Sequence, residues 1–169
     1  MQNQNLKNEL RETYDKYAQE RESSVMQDWK IAERARFLTA LQDEHKHKLL
    51  EIGAGTGRDS KFFQDEDFDV TCTDLSPAMV EHCRQKGLSA YVMDMTAIDL
   101  PEASFDAVYS MNSMLHLPKD EFSEVLLRIH SLQRADGLFY IGMYGGYDFE
   151  GISANDAYTP KRFFSFFYR

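Results

Sequence analysis

The sequence predicts an α/β fold: a doubly wound parallel sheet with helices packed on both faces. Three observations predict it. From residue 48 onward, short apolar strands alternate with helix-length segments, the signature of a parallel sheet with crossover helices. A glycine turn, Gly53-Ala54-Gly55-Thr56-Gly57, runs directly from the first strand into the first helix. An acid stands at the end of each of the next two strands, Asp74 and Asp94.

Residues 1–47 read as helix. Leu6, Leu10, Tyr14 and Tyr17 recur on one helical face, and Ile31, Ala35, Leu38 and Leu41 form a second stripe. Ser23-Ser24 is the expected break between them. Residues 48–52 (KLLEI) are the first strand and 58–64 the helix after the glycine turn. Residues 68–73 are the second strand. Ser76-Pro77 opens the next helix, Ser as cap and Pro at the first helical position, and Gly87 ends it. Residues 89–93 and 105–111 are the third and fourth strands. A helix from Pro118, with Phe122, Val125, Leu126, Ile129 and Leu132 on one face, is expected to end at Gly137. Residues 138–144 are the fifth strand. Residues 145–169 read as a loop followed by an aromatic tail with Phe163, Phe164, Phe166, Phe167 and Tyr168.

Composition narrows the function classes. At 169 residues the chain suits one domain with a real core. Its net charge of −9 argues against a general nucleic-acid or anionic-membrane binder, which needs a basic face. Cys72 and Cys83 cannot form a disulfide scaffold, so a reducing cytoplasm and buried free thiols are expected. The polar start lacks a secretory core. No apolar run approaches the roughly 20 residues that span a bilayer. His45 and His47 have no third ligand at useful spacing, so no metal is expected.

The glycine turn carries the main chemical signal. Glycine permits a tight turn and close backbone approach to a ligand, and the following helix N-terminus favours an anion. The spacing is G-x-G-x-G. A dinucleotide fingerprint places its third glycine where Arg58 stands, which argues against a nicotinamide-dependent oxidoreductase. Adjacent first and second strands would set Asp74 beside the turn, where its carboxylate can accept both hydroxyls of a ribose. The alternative is an acid that favours the dipole of the next helix. Asp94 could accept from an exocyclic amine, with Met95 against a base face, or could simply form an Asx turn.

The segments LLEIGAGTGRDS, CTDLSPAMVEHC and VMDMTAIDLPEASFDAVYSMNSMLHL, in that order over residues 48–144, resemble class I S-adenosylmethionine-dependent methyltransferases of the small-molecule type. YDKYAQERE resembles their N-terminal cap helix. The resemblance implies a three-layer Rossmann-like core at 48–144 with strand order 3-2-1-4-5, a helical cap at 1–47, and S-adenosylmethionine as cofactor. It implies that Glu51, Gly53, Ala54, Gly55 and Gly57 hold the methionine end. Asp74 would bind the ribose, Leu75 and Met79 would lie near the adenine, and Asp94 and Met95 would fix its amine and face. Asn112 would close the pocket below the sulfonium, with Tyr14 or Tyr17 as the lid. The family's sheet continues into a terminal antiparallel hairpin. Here only the beginning of a helix is expected after the fifth strand, so the chain reads as C-terminally truncated, with the fifth strand an open apolar edge that, together with the aromatic tail, invites a homodimer.

Methyl transfer from a sulfonium is an in-line displacement that needs mainly alignment. His116, after the fourth strand, is the candidate base should the acceptor lose a proton; a packing or capping role is the alternative. Trp29 could line an acceptor site or pack. MNSM after the fourth strand is not the proline-rich run of base-modifying relatives. A small-molecule methyltransferase is therefore expected, with a non-catalytic S-adenosylmethionine-binding module as the second reading.

Overall fold

The computed structural model describes residues 2–168; Met1 and Arg169 lie outside the described residues. The sheet has five strands: β1 (Lys48–Ile52), β2 (Asp69–Asp74), β3 (Ser89–Val92), β4 (Phe105–Met111) and β5 (Gln133–Gly142). All neighbouring pairs are parallel and the order is β3-β2-β1-β4-β5, as expected. The helices are α1 (Gln2–Lys16), α2 (Ala18–Ser23), α3 (Asp28–Asp43), α4 (Arg58–Asp65), α5 (Pro77–Gln85) and α6 (Phe122–Leu132).

Alternation along β1 separates the two layers. Leu49 joins Phe37 and Leu41 of α3 and Phe63 of α4 in one buried cluster. Leu50 and Ile52 face the other way, against Val125, Ile129 and Leu132 of α6. Burying Phe37 and Leu41 contributes roughly 1.5–3 kcal/mol each, so α3 is anchored by its C-terminal half. Its N-terminal turn is thereby held over the ends of the strands. The cap breaks at Ser24, as expected, and also at Tyr17, whose backbone leaves helical geometry (φ −102°, ψ 13°).

Two readings are corrected. The helix expected to reach Gly137 stops at Leu132, and β5 begins at Gln133. Phe105 pairs with Gln133 but Ala107 pairs with Leu138, so residues 134–137 bulge out of register, with Asp136 at φ 61°. Gly137 ends this bulge, not the helix. Second, the stretch read as loop and tail holds an antiparallel pair, β6 (Phe149–Ile152) and β7 (Phe163–Phe166). Aromatic residues suit a pleated, half-buried surface. Ser165 is buried, and the Phe166 ring lies 5.7 Å from that of Phe149 across the pair. Neither strand joins the large sheet. No helix among the described residues is long and apolar enough to cross a membrane.

Candidate active site

The cleft lies at the C-terminal ends of the strands, as in other open α/β sheets. It has two lobes of about 880 and 580 Å³, open mouths included, which share Leu10, Gly53, Asp74, Leu75, Met95 and His116.

Its floor is the glycine turn. The N–H groups of Gly53 and Ala54 donate to the Thr73 carbonyl at 2.8 and 3.0 Å, which fastens the turn to β2. Gly53 sits at φ 72°, and a Cβ there would stand 2.2 Å from the Cβ of Ser113. Ser113 is itself fixed by donating to the Ile52 carbonyl at 2.8 Å. Gly55 differs: apart from its own atoms and its two chain neighbours, nothing lies within 4 Å of where its Cβ would be. At Gly55, which lines the cleft, the turn is bare, and this suits close approach of a ligand.

Asp74 closes the floor. Its Oδ2 accepts from the Gly55 N–H at 2.8 Å and its Oδ1 from the Ser76 N–H at 2.9 Å. Each oxygen keeps a lone pair. Burial raises the pKa of the carboxyl, while these two N–H groups work against that rise. Glu51 accepts from the Ser60 hydroxyl. Burial, with the charge of Asp59 nearby, pushes its carboxyl well above the usual range. At the far lobe, Asp94 forms an Asx turn, its Oδ1 accepting from the Thr96 N–H at 2.9 Å, and its Oδ2 pairs with Lys7 at 2.9 Å. Burial opposes its ionisation, but the Thr96 and Lys7 contacts outweigh that and lower its pKa.

Asn112 stands at φ 54° just past β4, and both amide atoms are buried without a hydrogen-bond partner. Unpartnered buried amides are costly, so this side chain is free to receive a ligand in the cleft it lines. His116 lies 2.7 Å through Nδ1 from the Phe163 carbonyl and 2.6 Å through Nε2 from the Tyr14 hydroxyl. A carbonyl only accepts, so Nδ1 carries the proton and Tyr14 donates to Nε2. Arg162 in turn donates to the Tyr14 oxygen at 3.1 Å. Burial lowers the His116 pKa to about 3, with Arg162 and Arg21 adding to the effect and the Phe163 carbonyl opposing it.

The roof comes from the cap and the β6–β7 segment. Asp15 of α1 accepts from the Ser76 hydroxyl at 2.5 Å and the Ala78 N–H at 3.1 Å. Glu22 pairs with Lys86 at 2.7 Å, and Arg58 donates to the Ser24 carbonyl at 2.6 Å. Thr13 donates to the Pro160 carbonyl at 2.8 Å.

The cleft thus gathers Tyr14, Glu51, Gly53, Ala54, Gly55, Asp74, Leu75, Asp94, Met95, Asn112 and His116. Three expected residues do not line it. Tyr17 is turned aside by the break between α1 and α2 and stacks on Tyr158 at 4.4 Å. Gly57 faces Cys83 of α5 and Leu88 beyond that helix: a Cβ would meet Cys83 Sγ and Leu88 Cδ1 at 2.8 Å. Met79 is fully buried in α5. Cys72 and Cys83 are buried free thiols, and Trp29 packs edge-on against Tyr144. Sequence reasoning missed Arg21, Lys30, Met26, Asp59 and Phe163, all on the cleft wall. An apolar Met26 in a polar helix break was the one available signal.

A family model described as a methyltransferase domain matches residues 49–137. The malonyl-[acyl-carrier protein] O-methyltransferase of Enterobacter lignolyticus is 40% identical over 65 residues, 37% of this chain and 26% of that protein. The 2-methyl-6-phytyl-1,4-hydroquinone methyltransferase of Synechocystis sp. is 33% identical over 88 residues, 48% of this chain and 28% of that protein. These matches span only about a quarter of the curated relatives' length. Among solved structures, the DhpI–SAH complex superposes with a TM-score of 0.72 at 19% identity, over 96% of this chain and 81% of that one. The Burkholderia thailandensis 1,6-didemethyltoxoflavin-N1-methyltransferase superposes with a TM-score of 0.54 at 20% identity, over 87% and 76%. At these identities the two structures establish the shared fold.

Proposed function

Because this chain belongs to the methyltransferase domain family, we propose that it is an S-adenosylmethionine-dependent methyltransferase acting on a small-molecule acceptor. The observation that carries the reading is the pairing of Asp74 with the bare glycine turn: the Gly55 N–H points the carboxylate across the floor of an open cleft. Its two remaining lone pairs suit the two hydroxyls of a ribose. Glu51, Gly53, Ala54 and Gly55 would hold the methionine end, with Leu75 and Met95 against the base. Asp94 would share its carboxylate between Lys7 and the base amine. Gly57 and Met79 would support this floor from behind, and Tyr14 would cover it. We assign residues 1–47 the role of cap, 48–144 that of cofactor-binding core, and 145–169 a share of the roof.

When bound, the cofactor supplies an activated methyl on a sulfonium, so the protein's task is alignment and exclusion of water. Asn112 offers a donor and an acceptor to hold the acceptor's reacting atom. His116 fixes Tyr14. A proton leaving the acceptor would reach Nε2 of His116 only through the Tyr14 hydroxyl, because that hydroxyl occupies the lone pair.

Calorimetric titration with S-adenosylhomocysteine, alongside NAD, tests the reading. Micromolar binding of the first alone is expected, and binding of NAD alone would overturn it. Turnover against a metabolite panel then separates an enzyme from a non-catalytic binding module.

We also propose a cytoplasmic protein that pairs with a second copy along β5. Among the described residues this strand is hydrogen-bonded on one side only, and Ile141 is 40% exposed. A charge on an edge strand blunts pairing, so Ile141→Lys is expected to convert a dimer to a monomer in sedimentation velocity. A wild-type protein that sediments as a monomer at tens of micromolar removes the proposal.

A further inference from the structure

We propose that the acceptor is an organic acid, its anionic group held by Arg21, Lys30 and Arg58. The inference rests on the methyltransferase reading and names its substrate class. The three cations come from three elements, α2, the start of α3 and the start of α4, and all line the larger lobe. This concentration occurs in a chain of net charge −9.

None of the three has a carboxylate within ion-pair distance among the described residues, although other basic side chains form eleven ion pairs. Arg58 donates to the neutral Ser24 carbonyl. Among the described residues the Arg21 side chain donates only to the Tyr158 hydroxyl, at 3.4 Å, and it lies over the Tyr14 ring. Lys30 makes no side-chain hydrogen bond among the described residues and lies over Trp29. The carboxylates of the same lobe are already engaged: Asp59 with Arg34 at 2.9 Å, Glu51 with Ser60, and Asp74 with two backbone N–H groups. Partial burial, with Arg21 and Arg58 close by, lowers the Lys30 pKa while Asp59 opposes the shift. Holding like charges together in a half-buried wall is unfavourable until an anion joins them.

The cofactor does not supply enough negative charge. It carries a sulfonium, an ammonium and one carboxylate, for a net charge of +1. The N-terminus of α4, directly after the glycine turn, suits that carboxylate, and the cofactor as a whole adds positive charge to the cleft. An anionic acceptor restores the balance and is drawn toward the sulfonium as well. Leu10, Met26 and Met111 line the same lobe and suit an apolar body behind the charged group.

The test uses benzoate and its neutral isostere benzamide as probes, titrated into the free protein and into protein saturated with S-adenosylhomocysteine. Benzoate is expected to bind at least about fivefold more tightly than benzamide. Lys30→Gln and Arg21→Gln should abolish that preference and leave the S-adenosylhomocysteine Kd within about twofold. Equal binding of the two probes, or a preference that survives both substitutions, would overturn the proposal. So would a tenfold rise in the S-adenosylhomocysteine Kd, because the cluster would then serve the cofactor's own carboxylate. Failure of the wild-type protein to bind S-adenosylhomocysteine would remove the methyltransferase reading instead. The benzoate preference of the free protein would still judge the cation cluster.

Discussion

Asp74→Ala is expected to weaken S-adenosylhomocysteine binding at least about tenfold. The carboxylate would accept two hydroxyl hydrogen bonds from the ribose, and bonds to a charged group contribute about 1.5–3 kcal/mol each. Losing even one reaches the roughly 1.4 kcal/mol of a tenfold change. The substitution also strips the Gly55 and Ser76 N–H groups of their acceptor, so the glycine turn loosens with it. Asp74→Asn separates the two effects. It keeps an oxygen for one of the two N–H groups but cannot accept at both ends, so an intermediate affinity is expected. Calorimetry on both variants, with melting curves to verify folding, is the measurement. Unchanged affinity in the alanine variant would leave Asp74 as a clasp for the turn and nothing more.

His116 carries the second large expectation, a pH-dependent loss of stability. Its folded pKa is lowered to about 3, against about 6.5 in an unfolded chain. As pH falls through 6.5, the unfolded chain takes up a proton that the folded protein refuses. The stabilisation from a neutral His116 is therefore full above pH 6.5 and is lost as pH falls toward 3. Between pH 7.5 and pH 5 this group alone is expected to cost about 1–2 kcal/mol. The charged groups around it act in both directions: Arg162 and Arg21 resist the imidazolium, and Asp156 favours it. His116→Gln cannot titrate, so its unfolding free energy should fall less steeply with acid. Denaturant titrations of both proteins across that range decide the matter, and identical slopes would show that His116 is not held neutral.

The sheet was legible because each strand is a local pattern with a local stop. The strands at 48–52 and 69–74 need no long-range information, and the glycine turn and Asp74 fall at their ends. Ser76-Pro77 marked the start of α5 by capping chemistry alone. What failed depended on partners far away in sequence. Gly137 resembles a helix stop, and only the pairing of Gln133 with Phe105 reveals a strand already under way. The aromatic run at 163–167 has no polar alternation, so nothing local announces that it will pair with residues 149–152. The cations on the cleft wall were hidden for a similar reason. Where Arg21 and Lys30 point is decided by the docking of α1 and α3 through Asp15, Phe37 and Leu41, not by their own neighbours. Tyr14 and Tyr17 shared one predicted face, and the backbone break at Tyr17 separated them.

The roof of the cleft is assembled from two segments more than a hundred residues apart, α1 and the stretch that leads into β7. They are joined where Thr13 meets Pro160 and Arg162 meets Tyr14. A ligand lying beneath that junction touches both segments and the sheet at once, so it acts as a third strut between them. Its departure and the local opening of the roof then become a single event. Residence time in this protein would be governed by how often a few polar contacts at the junction let go. The far more stable sheet would set only where the ligand lies, and a bound ligand would slow exchange of amide hydrogens at both distant segments together.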